Sequence, residues 1–266
     1  VLPPRTRPGL AYDIARSRLV VFGGNDAMPV ANGTWTWNGA SWTNVVPAAA
    51  PAARYSAATT YDAARSKVVL FGGVNQLNGQ LLDDTWTTGG SGWQQHAPAL
   101  RPSGRYEGAM AFDEARQEVI LFGGSMSVGG LLSDTWRWNG ATWTQASPAT
   151  VPPPRRKHAM TYDRGRDVIV MFGGSSTVDF FADTWEWDGG DWLQRAPAIS
   201  PSARVQPALA YDEARGEVMM YGGIGGNGNG GPTLGDTWIW DGTTWAQRAP
   251  ASAPPPLSAA GMLYEP

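Results

Sequence analysis

The sequence predicts an all-β propeller of five four-stranded blades, with an extra inner strand at its C-terminal end. Three observations carry that expectation. A double glycine recurs at Gly23-Gly24, Gly72-Gly73, Gly123-Gly124, Gly173-Gly174 and Gly222-Gly223. A Thr-Trp pair follows each one, with its indole at Trp35, Trp86, Trp136, Trp185 and Trp238. Every unit also holds four short runs rich in β-branched and aromatic residues, bounded by Gly, Asp and Pro and too short for an ordinary helix. A period of about 50 residues with four strands per unit points to radial repetition. The units are 1–53, 54–104, 105–154, 155–203 and 204–256, followed by a closing strand at 257–266, all in one domain.

The elements follow in order within each unit. The inner strand lies between an arginine (Arg5, Arg54, Arg105, Arg155, Arg204) and an aspartate eight residues on. Small residues recur at Gly9, Ala58, Ala109, Ala159 and Ala208, and an aromatic precedes each aspartate. The next turn repeats an Asp/Arg pair three apart: Asp13/Arg16, Asp62/Arg65, Asp113/Arg116, Asp163/Arg166 and Asp212/Arg215. An aspartate in a tight turn accepts backbone N–H bonds, and the arginine caps it, so these pairs read as structural. The second strands are almost continuously apolar, as in Val168–Phe172, which suits burial on both faces. They end at Gly-Gly, where positive φ is expected.

Third strands carry Trp-x-Trp (Trp86/Thr88 in the second unit) and fourth strands carry Trp42, Trp93, Trp143, Trp192 and Trp245. Together these positions account for all 14 tryptophans, so blade packing explains each ring. Ala/Pro-rich connectors at Pro47–Ala53, Pro98–Gly104, Pro148–Pro154, Pro197–Ala203 and Pro250–Pro256 lead from one unit to the next. The tail, Leu257–Pro266, restarts the inner-strand pattern with Gly261 and Tyr264, but has Leu257 for the arginine and Glu265 for the aspartate. It fits ring closure; a part of a six- or seven-bladed ring, or two chains sharing strands, are the alternatives.

The Gly-Gly, aromatic and Trp pattern in all five units resembles the kelch-repeat family, in particular bacterial galactose-oxidase-like kelch propellers without the copper site. The resemblance covers essentially the whole chain. It implies a kelch-type β-propeller whose inner strands line a central channel, and whose connectors and second-to-third-strand loops reach one rim. It implies little about activity, because function lies in sites and not in folds.

Composition narrows the classes. A net charge of −3 argues against nucleic acid and against a polybasic membrane anchor. No run approaches the length of a membrane span. With Cys 0 there is neither a disulfide nor a Tyr–Cys crosslink, and with two histidines, His96 and His158, a three-His metal site cannot form within one chain. No cofactor or metal is expected. The compartment stays open, extracellular or periplasmic if a signal peptide has been removed.

Subtracting the repeat leaves unit-specific residues at the start of each inner strand. Arg7, Tyr55, Ser56, Tyr106, Glu107, Arg156, Lys157 and Gln206 are the candidate ligand-binding set. Cations, tyrosines and amides around one opening suit an anionic or polyhydroxylated ligand. The leading expectation is a non-catalytic module, a monomer or strand-sharing dimer, that presents this rim to a protein, peptide or glycan. The alternatives are a metal-independent isomerase or lyase on a small sugar-acid-like substrate, using Glu107, His158 and Arg156, or a purely structural domain. The arginines at the start of each unit are expected to be buried against connector carbonyls.

Overall fold

The computed structural model describes residues 1–25, 33–90, 92–127, 130–228 and 230–262. Five four-stranded antiparallel meanders surround a channel. Blade 1 comprises Gly9–Asp13, Arg18–Phe22, Thr34–Trp37 and Trp42–Val45. Blade 2 comprises Ala58–Asp62, Lys67–Phe71, Thr85–Thr88 and Trp93–His96. Blade 3 comprises Ala109–Asp113, Glu118–Phe122, Thr135–Trp138 and Trp143–Gln145. Blade 4 comprises Ala159–Asp163, Val168–Phe172, Thr184–Trp187 and Trp192–Arg195, and blade 5 comprises Ala208–Asp212, Glu217–Tyr221, Thr237–Trp240 and Trp245–Arg248. The expected small residues face the channel, a cavity of about 440 Å³ that includes Ala58, Ala109, Ala159 and Ala208 in its wall.

Period-two alternation puts Trp185 and Trp187 on one face of blade 4, and Thr184 on the other. The two faces join the blades by a repeated contact. Four of the five fourth-strand indoles donate to the threonine that opens the third strand of the preceding blade: Trp93 to Thr34, Trp143 to Thr85, Trp192 to Thr135 and Trp245 to Thr184, at 2.8–2.9 Å. The same indoles meet the last ring of the preceding second strand edge-on, as in Phe122–Trp192 with centroids 5.1 Å apart. A buried apolar cluster fills each of these four junctions.

Arg54, Arg105, Arg155 and Arg204 are buried, as expected, whereas Arg5 is only half-buried; in each the Nε donates to a connector carbonyl two residues back. The sequence reading missed the acid partner. Arg54, Arg105, Arg155 and Arg204 each grip an aspartate just before Thr-Trp bidentately, as with Arg105 Nη1 and Nη2 to Asp134 at 2.6 and 2.8 Å. Unit 1 has Gly33 at that position, and Arg5 bonds the Gly23 and Pro3 carbonyls. The Asp/Arg turns are structural as expected. Arg65 bonds Asp62 at 2.9 Å and also reaches the Gln117 carbonyl of the next blade at 3.0 Å. The double glycine is needed on two counts: Gly173 sits at φ +70°, and a Cβ there would lie 2.6 Å from the Arg204 carbonyl oxygen.

Between blades 5 and 1 the pattern changes. Thr34, Thr85, Thr135 and Thr184 are at most 4% exposed, whereas Thr237 is half-buried, as are Trp35, Trp37 and Trp42. Among the described residues no bond joins Trp42 to Thr237. Tyr221 replaces the usual phenylalanine and donates its hydroxyl proton to the Pro254 carbonyl. The tail runs through this seam. Gly223 N–H donates to the Leu257 carbonyl, Leu257 N–H to Leu234, and Ala259 N–H to Gln206, repeating the bonds that Arg204 and Gln206 make one unit earlier. Gly261 lies against Leu10 of blade 1. Residues 257–260 thus take the place of the lead-in to an inner strand, and Gly261 and Met262 stand where its first two residues would be. Leu263, Tyr264 and Glu265 lie outside the described residues.

Candidate functional site

At one mouth of the channel the backbone forms a circlet. The amide of Ser56 donates to the Arg7 carbonyl, Glu107 to Ser56, Lys157 to Glu107, Gln206 to Lys157, and Ala259 to Gln206, at 2.8–3.2 Å. All six residues are left-handed, with φ between 53° and 60°. A non-glycine residue there is strained and persists only where its surroundings hold it, and such strain gathers at functional sites. Five of the six are residues singled out from the sequence. The sixth, Ala259, was missed, although it stands two residues after Leu257 just as Arg7 stands two after Arg5, the station that recurs in every unit.

These six residues line a cavity of about 220 Å³ with Pro8, Ala57, Gly108, His158 and Ala260. Glu107 is its centre: its side chain is 6% exposed, with Arg7 Nη1 and Arg156 Nη1 at 3.6 Å and Lys157 Nζ at 3.8 Å. These are ion-pair distances, beyond hydrogen bonding. Glu107 Oε2, Arg156 Nε, Ser56 Oγ and both ring nitrogens of His158 are buried without a hydrogen-bond partner in the protein. Buried polar atoms are normally satisfied, so such a concentration at one place calls for a reason. Lys157 holds its proton less tightly than usual, through burial and the charges of Arg156 and Arg7, with Glu107 opposing.

Tyr106 is linked to the site through Arg156, which donates to its hydroxyl at 3.4 Å. Tyr55, Tyr106 and Arg156 are not among the lining residues; Tyr55 belongs to a short ladder in which Arg54–Tyr55 pairs with Val74–Asn75. His158 packs edge-on against Phe122 with centroids 5.6 Å apart. Burial and the nearby Arg155 charge, weakly opposed by the Phe122 backbone dipole, bring its pKa down to about 3. It is therefore a neutral ring at physiological pH. Glu107 and Arg156 are together, within 3.6 Å, and His158 shares the cavity wall with Glu107. Among the described residues no cluster of three His, Asp or Glu side chains suits a metal ion, and no helix is long and apolar enough to cross a membrane.

Repeated blades fix a β-propeller scaffold, with side chains that differ from unit to unit around one mouth. The KLHDC2/KLHL20/DRC7 Kelch-repeats domain model matches residues 87–263, more than half of the chain, which therefore belongs to the kelch-repeat family. No curated protein matches the chain. Kelch propellers generally mediate protein interaction.

Proposed function

We propose that this propeller is a non-catalytic interaction module that holds an anionic segment of a partner protein at the channel mouth. The observation that carries the reading is the buried Glu107 carboxylate in the cavity wall, with three cations within 3.8 Å and none hydrogen-bonding it: Arg7 and Lys157 from the wall itself and Arg156 from outside it. Three positive groups against one negative leave the mouth electropositive on a chain whose overall charge is −3. Charged side chains near the opening steer an oppositely charged partner and fix its register. The neutral His158 weighs against the isomerase or lyase alternative.

The test is binding of fluorescent 12-residue peptides that are acidic, neutral or basic, with a neutral glycan panel alongside. Acidic peptides are expected to bind, and Arg7→Ala and Lys157→Ala to weaken them about tenfold each, as for one charge-assisted bond of about 1.5 kcal/mol. Equal binding of neutral peptides, preference for the glycans, or indifference to both substitutions would sink the reading.

A further inference from the structure

We infer that the anionic group recognised at this mouth is a phosphate ester carried on the partner segment, so that binding is switched by phosphorylation. This rests on the reading just given and narrows it to one chemistry.

Charge counting comes first. Arg7, Arg156 and Lys157 supply three positive charges and Glu107 removes one, leaving two. A carboxylate side chain brings one negative charge and leaves a surplus in a partly desolvated pocket. A phosphate ester brings about −1.5 to −2 at pH 7, which matches.

Donor geometry comes second. Glu107 consumes none of the three cations' N–H donors by hydrogen bonding, because every separation is 3.6 Å or more. The Ser56 hydroxyl, in the cavity wall with Arg7 and Lys157, is buried and unpaired, and Arg156 stands outside the wall within 3.6 Å of Glu107. A phosphate ester offers three strong acceptor oxygens to such a set, where a carboxylate offers two. Arg7 comes from blade 1 and Arg156 and Lys157 from blade 4, so the donors approach from different sides, which suits a tetrahedral group better than a planar one.

Glu107 then has a role in selectivity. It already supplies the first negative charge, and a singly charged ligand gains less than a doubly charged one. Replacing it with glutamine raises the net charge to three and reduces the advantage of the doubly charged ligand.

The experiment uses the full chain and three oriented libraries of 11-residue peptides with degenerate flanks and a fixed central phosphoserine, glutamate or serine. Inorganic phosphate serves as competitor. The phosphoserine library is expected to bind at least tenfold tighter than the glutamate library at pH 7.4. Arg7→Ala and Lys157→Ala should each lose at least tenfold, and Glu107→Gln should narrow the phosphoserine-to-glutamate ratio. Melting curves of each variant confirm that it is folded, and a variant that melts early is replaced by Arg7→Gln or Lys157→Gln. Glutamate peptides binding as well as phosphoserine peptides would overturn this inference and leave the anionic-segment reading standing. Inorganic phosphate binding as tightly as the phosphopeptides would overturn it in favour of a small-anion site. Binding of no library, or binding that ignores the rim substitutions, would bring down the underlying reading as well.

Discussion

Replacing Asp134 with alanine leaves the Arg105 guanidinium in a place where it is 1% exposed, with its two bidentate bonds gone. Three donors stay engaged: Nε with the Ser103 carbonyl, Nη1 with the Gly123 carbonyl, and Nη2 with the Ser103 hydroxyl. The charge itself has no counterion. Removing one partner of a buried pair costs about 3–5 kcal/mol. Asp134 is 19% exposed, so water reaches the vacated side and the lower end applies. The Trp136 indole loses its acceptor too. A loss of about 3 kcal/mol lowers Tm by about 6–12 °C in a chain near this size. Urea unfolding followed by tryptophan fluorescence, with calorimetry beside it, measures both. Replacing the pair together, Arg105→Met with Asp134→Leu, should recover most of the loss, because no uncompensated charge remains. A cost below about 1 kcal/mol for Asp134→Ala, or a coupling below about 0.5 kcal/mol in the full double-mutant cycle, would refute the argument that these pairs clamp the units.

Two further outcomes follow from the same contacts. His158 is buried neutral with a folded pKa of about 3, below its unfolded value of about 6.5, so the unfolded chain takes up a proton that the folded one refuses. Stability should therefore fall as pH drops below about 6.5, by up to about 1.4 kcal/mol per pH unit for this group, and His158→Phe should remove that part of the slope between pH 4 and 6. Burial pushes Asp84, Asp134 and Asp236 up, but their arginine and indole bonds outweigh it and hold them below the ordinary range. Their contribution is complete above about pH 4 and disappears only on further acidification. Urea midpoints across pH that run parallel for the two proteins would contradict the assignment. Separately, Thr85→Val strips the acceptor from the buried Trp143 indole and should cost about 1–3 kcal/mol, while Thr237→Val at the seam should cost under about 0.5 kcal/mol. Equal costs, read from chemical denaturation, would mean that the seam is packed like the other junctions.

The repeat was legible because each of its positions answers to one strong local requirement. Trp143 and Gly173 recur in phase, and that phase alone places them at a blade junction and a tight backbone approach. Asp134 was harder to assign. Its partner Arg105 is 29 residues away, and an aspartate before a strand also reads as ordinary turn chemistry. The station residues were found by subtraction, which is sensitive to difference and blind to sameness. Glu107 and Lys157 stood out against their counterparts, whereas Ala259 did not, being a small residue in a tail that had lost its arginine. Tyr55 was drawn into the set by position, but the ladder with Val74–Asn75 occupies its backbone and it stays outside the cavity wall. No pattern in the sequence showed that Arg7 and Arg156 meet at one carboxylate, since 149 positions and two intervening blades separate them.

The seam between blades 5 and 1 has a mechanical consequence. A closed circle of identical joints has no weakest place, but here blades 1 to 5 form an arc of four stiff joints, clasped by residues 257–262. Stiffness passes between neighbours along such an arc, and its two ends are the members with a neighbour on one side only. Arg7 stands at one end, and Arg156 and Lys157 stand on the fourth member around. Any anion gripped by all three acts as a tie-rod across the open side, so occupancy of the mouth and the gape of the arc are one coupled degree of freedom.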